Sequence, residues 1–176
     1  MENQELPLDY FEQENSNEDY QYLINTQQFV VLSIATLGLY ELWWAYKAWS
    51  FFKQREATPI MPAARAILGI FYLPALFSRI LRSAKQLGYT KTYSPAILYI
   101  AYLLITLLSR LPPPFFLISL GSVICLILPF EALNYLKRHT TIYTIIEQTS
   151  FNRRQTALLI LGALFWTFLL IGIFLK

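Results

Sequence analysis

The chain has few of the residues that build metal, redox and nucleotide sites. Its 176 residues include one cysteine and one histidine. One cysteine cannot form an internal disulfide, and one histidine cannot build a zinc site. No CxxC, HExxH, GxxxxGK or GxGxxG pattern occurs in the sequence. We therefore expect no metal, no cofactor and no catalytic residue. The sequence gives little support for an enzyme but does not exclude one.

Basic residues are missing from the first 28 positions. Seven acids lie there, with Asn and Gln between them: Glu2, Glu5, Asp9, Glu12, Glu14, Glu18 and Asp19. A segment of this composition buries too little apolar surface to fold, so we predict an acidic, largely disordered tail over residues 1–26. No signal peptide is expected, because a basic n-region and a small-residue cleavage site are missing.

The rest of the chain is basic and strongly apolar. From Tyr20 onward there are fourteen Lys and Arg but only four acids. Hydrophobic residues make up 56% of the whole chain, which is more than a soluble domain of this length uses. The stretch from Ala157 to Leu175 carries no formal charge and nearly matches the thickness of a bilayer. The sequence therefore predicts an all-α integral membrane protein that does not bind nucleic acid.

The apolar runs predict a helical membrane domain over residues 27–176 with about four transmembrane helices. These spans are predicted over residues 27–52, 95–110, 115–134 and 156–175. Three consecutive prolines at 112–114 cannot continue a helix, so they predict a tight hairpin between the second and third spans. The apolar run within residues 63–87 is shorter and continues into an amphipathic basic segment. Its apolar stripe is predicted at Leu73, Leu76, Ile80 and Leu87. We predict an interfacial or re-entrant amphipathic helix there.

The positions of the basic residues predict an orientation. If the N-terminus is outside and residues 63–87 do not cross, twelve basic residues lie on the cytoplasmic side. Only Arg110 and Lys176 then lie outside. The positive-inside rule therefore predicts a multi-pass protein of the cytoplasmic membrane with both termini periplasmic.

Glu41 is a carboxylate within the first predicted span, where a charge is costly unless it faces protein or water. Ala35, Gly38 and Ala45 recur with it at spacings of three or four residues, which places all four on one helix face. Small residues allow two helices to approach closely. We predict that this face packs against another helix and that Glu41 points at protein.

Two interpretations of Glu41 stay open at this point. In the first, Glu41 has a structural role, either in an ion pair with Arg65 or Lys47 or at a depth close to the cytoplasmic interface. In the second, Glu41 binds an ion, a proton or a lipid headgroup.

Glu131 invites the same question at the end of the fourth apolar run. Lys137 and Arg138 follow it within two helical turns. This spacing favours a salt bridge at the helix end over a functional site.

Two further groups of residues are predicted to contact the membrane surface. A basic stripe of Arg79, Arg82 and Lys85 lies on the amphipathic segment and is expected to attract anionic headgroups. Aromatic and basic residues near the end of the first span are expected to anchor it at the interface: Trp43, Trp44, Lys47 and Trp49.

Three segments resemble an uncharacterised family of small bacterial inner-membrane proteins. The family's first helix has a TLGLY…W…K…W pattern, which this chain matches within FVVLSIATLGLYELWWAYKAWSFFK at Thr36, Gly38, Tyr40, Trp44, Lys47 and Trp49. Two later segments, MPAARAILGIFY and FNRRQTALLILGALFW, also resemble the family. The resemblance covers residues 27–176 and implies the bacterial inner membrane, without any catalytic residue to carry over.

Three classes of function follow from these features. The first is a non-catalytic scaffold or accessory subunit of a membrane complex. Its partners would be membrane lipids, including anionic ones, and another membrane protein or a second copy of the chain. The alternative is a small oligomeric transporter, channel or lipid-handling protein that uses Glu41 and Glu131. A membrane enzyme that acts on lipid comes third, with Asn134 and His139 as further candidate groups.

Overall fold

The computed structural model describes residues 20–140 and 144–175, and it is helical apart from two short strands. Strand β1 (Tyr20–Leu23) comes first. The helices are α1 (Thr26–Ala35), α2 (Leu39–Glu56), α3 (Pro62–Ile67), α4 (Gly69–Gln86), α5 (Pro95–Leu107), α6 (Val123–Arg138) and α7 (Arg153–Phe174). Two 3-10 segments, Leu108–Arg110 and Phe115–Ser122, lie between α5 and α6, and strand β2 (Thr144–Glu147) precedes α7. The predicted helical architecture is confirmed, whereas membrane insertion and the number of crossings stay predictions.

Residues 27–52 do not form one long helix, so that prediction was wrong. Leu37 and Gly38 have positive φ angles of 52° and 89°, which end α1 and start α2 in a new direction. The Thr36 hydroxyl accepts a hydrogen bond of 3.0 Å from the backbone N–H of Tyr40, which lies in the first turn of α2. The ring of Phe29 in α1 lies 5.8 Å from that of Trp44. The two helices therefore fold back on each other as a hairpin.

The two strands pair in parallel and join distant parts of the chain. Tyr20 pairs with Thr144 and Leu23 with Glu147. The predicted topology placed these segments on opposite faces of the membrane, where backbone hydrogen bonding between them is impossible. The predicted periplasmic position of the N-terminal segment and the predicted cytoplasmic position of residues 144–147 are therefore incompatible with this strand pair. The strand also begins within the predicted tail, of which residues 1–19 lie outside the described part of the chain.

The amphipathic segment forms two helices instead of one. Pro62 occupies the first turn of α3, and Leu68 separates α3 from α4. The predicted apolar stripe of α4 is buried at Leu73, Leu76 and Ile80. This stripe packs on the protein core, while exposed apolar residues are concentrated around the start of α4, at Ile67, Leu68, Ile70 and Phe71.

A second helical hairpin follows at the position that the prolines predicted. Ser94 caps α5, and the chain turns through residues 111–114 before the Phe115–Ser122 segment leads into α6. Helix α6 packs on α4 as well as on α5. Phe130 of α6 stacks on Phe29 with 4.3 Å between ring centroids, which links this hairpin to the first one.

Two helical segments in the described part of the chain are long and apolar enough to cross a membrane. They are Phe115–Arg138 and Arg153–Ile173. In the first, 44% of the most apolar window is buried inside the protein, but only 6% is buried in the second. The second segment, which forms most of α7, therefore lies at the periphery of the molecule with most of its apolar surface uncovered. Helix α7 begins at a capping box formed by Asn152 and Gln155.

Candidate functional site

Glu41 lies in the first turn of α2 and is 7% exposed. Its carboxylate accepts a hydrogen bond of 3.0 Å from the hydroxyl of Tyr102 in α5. This contact ties the first hairpin to the second. A carboxylate in the first turn also lies where the helix dipole favours negative charge. Glu41 is thus enclosed and hydrogen-bonded within the protein.

The expected ion pairs of Glu41 are not formed. The guanidinium of Arg65 lies 4.6 Å from the ring centroid of Trp49. The ammonium group of Lys47 lies 5.0 Å from that of Trp43. Both cations use aromatic faces instead. Tyr102 could not be identified as the partner from sequence, because 61 residues separate it from Glu41.

The small-residue face is divided by the break between α1 and α2. Ala45 is buried beside Glu41 on α2, but Gly38 occupies the turn and Ala35 ends α1. A close helix approach occurs at Ala35, where a β-carbon on Gly162 of α7 would lie 2.5 Å from the Ala35 carbonyl oxygen. Gly162 was missed because a lone glycine in an apolar run does not reveal its partner.

Glu131 forms a salt bridge with Lys91, with 2.8 Å between Oε2 and Nζ. The expected bridge within α6 is absent among the described residues, since Arg138 pairs with Glu147 instead. The hydrogen bond from Lys91 to Glu131 raises the pKa of the Lys91 ammonium group. Burial, followed by the charge of Glu131, raises the pKa of the nearby Tyr89 hydroxyl. Glu131 thus fixes the loop before α5 against α6.

The basic stripe on α4 is only partly available to lipid. Arg79 forms a bidentate pair with Glu56 at the end of α2, and its guanidinium lies 5.1 Å from the ring centroid of Phe52. Arg82 and Lys85 are exposed. Headgroup contact therefore stays a prediction for those two residues, while Arg79 holds α2 and α4 together.

The four predicted interface anchors divide into two pairs. Trp43 is 50% exposed, and Lys47 is exposed beside it. Trp44 and Trp49 are buried in the core. Only Trp43 and Lys47 can therefore act at a membrane surface.

A cavity of 1290 Å³ lies between β1, α2, α6 and the start of α7. Four cations from three helices line it: Lys47, Lys53, Lys137 and Arg154. No Asp or Glu occurs among its described lining residues. We call it the cationic cavity. These cations could be assigned to one membrane face from the sequence, but only tertiary structure brings them to one cavity.

Aromatic and amide side chains complete the cationic cavity. Trp43, Trp44 and Tyr46 contribute from α2. Gln148 contributes from the segment before α7, and Gln155 contributes from the first turn of α7. Trp44 is 6% exposed, and its indole N–H has no hydrogen-bond partner in the described part of the chain. The cavity therefore combines positive charge with aromatic and amide side chains.

The described residues offer little support for metal chemistry. Within residues 20–140 and 144–175, no group of three or more His, Cys, Asp or Glu side chains could hold a metal ion. The buried Cys125 is a free thiol. What the cationic cavity can do chemically is bind an anion.

Comparison with known proteins gives no match. No family model matches the chain, and searches of curated proteins and of solved structures also find no match. The resemblance to a family of small inner-membrane proteins stays a prediction.

Proposed function

We propose that the chain is a non-catalytic, multi-pass protein of the bacterial inner membrane that acts as a scaffold or accessory subunit of a membrane complex. The observation that carries this proposal is the exposure of α7. Its apolar side chains are exposed along most of the helix, including Leu161, Leu164 and Phe168. A continuous apolar surface of this length requires lipid or a membrane partner to cover it.

The proposal includes a revised topology with three crossings. The α5–α6 hairpin crosses twice and α7 crosses once, while the α1–α2 hairpin enters the membrane and returns. This arrangement leaves β1, β2 and the four cations of the cationic cavity on one face. By the positive-inside rule that face is cytoplasmic, and the end of α7 is periplasmic.

The arrangement of Glu41 and Glu131 favours the scaffold over a transporter. A transport pathway that uses both carboxylates requires them to line a common cavity. Glu41 is bonded to Tyr102 and Glu131 to Lys91, and neither lines the cationic cavity. Glu41 therefore joins two helices, and Glu131 joins α6 to the loop before α5.

Site-specific photo-crosslinking in cells tests the scaffold function. A photoreactive phenylalanine analogue at Phe168, which is 74% exposed, should give one discrete product with a second polypeptide. The same analogue at Glu147 provides the control, because Glu147 is exposed outside α7. If Leu161, Leu164 and Phe168 all give only lipid adducts, α7 is a membrane anchor and the scaffold proposal fails.

A further inference from the structure

The cationic cavity continues into a second, apolar concavity. This groove has a volume of 290 Å³ and lies between α2 and the start of the α3–α4 segment. We call it the apolar groove. It shares Leu39, Trp43 and Tyr46 with the cationic cavity. Ala63 and Ile67 line its other side and are exposed. A polar and an apolar compartment thus meet along one face of α2.

The cations of the cationic cavity lack carboxylate partners in the described part of the chain. All three salt bridges there involve other cations, namely Arg79, Lys91 and Arg138. Lys47, Lys53, Lys137 and Arg154 line the same cavity, so their like charges repel one another. Like charges held together without a counter-ion are stabilised by an anion bound between them.

The shape and the composition together select the anion. A small inorganic anion would satisfy the charges but would leave the apolar groove uncovered. An acyl chain in the groove would place its polar end beside Trp43 and Lys47. Leu39 and Trp43 are exposed on the apolar surface of α2, which opens the site toward the membrane.

We propose that the cationic cavity and the apolar groove together bind one anionic phospholipid. The phosphate group lies among Lys47, Lys53, Lys137 and Arg154, and one acyl chain lies in the apolar groove. The site lies apart from the basic stripe on α4. It binds a single lipid molecule, whereas general attraction of basic residues to an anionic membrane surface does not select a particular lipid molecule.

Tryptophan fluorescence of the full-length protein in neutral detergent measures this binding, because Trp43 and Trp44 both line the site. Dioctanoyl phosphatidylglycerol is the ligand. Dioctanoyl phosphatidylcholine tests the need for net charge, and glycerol 3-phosphate tests the need for acyl chains. We expect saturable binding of phosphatidylglycerol, at least about tenfold tighter than that of either other compound.

Charge removal within and outside the cavity separates the site from general surface attraction. Lys47→Gln with Lys137→Gln should weaken phosphatidylglycerol binding at least about tenfold, at about 1 kcal/mol for each cation near an anionic headgroup. Arg82→Gln with Lys85→Gln removes two exposed cations outside the cavity and should change the affinity less than about twofold. Circular dichroism checks that both variants are folded. Should the first variant misfold, Lys53→Gln with Arg154→Gln replaces it, because both side chains are exposed.

A filled groove tests the acyl-chain compartment. Ala63→Trp places a large ring in the apolar groove and should weaken phosphatidylglycerol binding. Equal affinity in the cavity and control variants overturns the proposal, as does equal affinity for phosphatidylcholine. If glycerol 3-phosphate binds as tightly as the lipid, the cavity is a phosphate site and the lipid assignment is wrong.

Discussion

Gly38 determines where the first hairpin turns. Its φ angle of 89° lies in the left-handed region, which residues with a β-carbon rarely adopt. The sequence marked Gly38 as important for its small size, but its backbone conformation is the stronger requirement. This difference was invisible beforehand because TLGLY fits a continuous apolar helix as well as a turn.

Substitution of Gly38 should therefore destabilise the protein whatever the size of the new side chain. Gly38→Ala should lower the free energy of unfolding by about 1–2 kcal/mol, and Gly38→Leu by at least as much. Leu39→Ala is the control, because Leu39 is 71% exposed and its change should be small. Unfolding in mixed detergent micelles measures all three. Equal stabilities of Gly38→Ala and Leu39→Ala would rule out the strained turn.

Within the described part of the chain, the buried carboxylate of Glu41 accepts its side-chain hydrogen bond from Tyr102. Tyr102→Phe removes the donor and leaves a buried carboxylate unsatisfied, which should cost about 1–3 kcal/mol of stability. Glu41→Gln should be milder, because the amide oxygen still accepts from Tyr102. A double-mutant cycle of Tyr102→Phe with Glu41→Ala, which removes the acceptor, measures the coupling in the same unfolding assay. Additive effects of the two substitutions would show that the contact does not join the hairpins.

At the scale of elements, local signals located the helices but not their partners. The prolines at 112–114 and the stripe of Leu73, Leu76 and Ile80 were readable because each depends on neighbouring residues. Strand β1 was missed because its four residues gain their hydrogen bonds from a segment about 120 positions away. The interpretation of α4 as a membrane-surface helix missed that its apolar stripe packs on protein. Periodicity shows that a face is buried without showing what buries it.

The packing of α1 on α7 depends on one glycine. A β-carbon at Gly162 would lie 2.5 Å from the carbonyl oxygen of Ala35, so Gly162→Ala must push the helices apart. The shift would also strain the 3.1 Å hydrogen bond from the indole of Trp166 to the carbonyl of Ile34. We expect a loss of about 1–3 kcal/mol in the unfolding assay.

Gly172 in the same helix provides a matched control. A β-carbon there meets nothing within 4 Å, so Gly172→Ala should leave stability unchanged or raise it slightly. The two substitutions make the same chemical change in α7 and differ only in the neighbouring chain. A Gly162→Ala protein as stable as the Gly172→Ala protein would mean that α1 and α7 do not pack at this point.

At the scale of the whole molecule, the cationic cavity and the strand pair define one face. The sequence assigned Lys47, Lys53, Lys137 and Arg154 to the cytoplasmic side by charge alone, and the structure brings them together. The predicted periplasmic side of the N-terminal segment depended on residues 27–52 forming one crossing helix. A break of three residues, at 36–38, divides that helix into two, and the proposed topology therefore returns the chain to the side from which it entered.

The central claim is that β1 and β2 share the cytoplasmic face while the proline turn lies outside. Single cysteines at Tyr22, Ile146 and Pro113, each in a Cys125→Ser background, test it by labelling of intact cells with a membrane-impermeant thiol reagent. Cysteines at Tyr22 and Ile146 should be protected in intact cells and should react after permeabilisation. The cysteine at Pro113 should react in both conditions. Labelling of Tyr22→Cys but not Ile146→Cys in intact cells would place the strands on opposite faces and contradict the account.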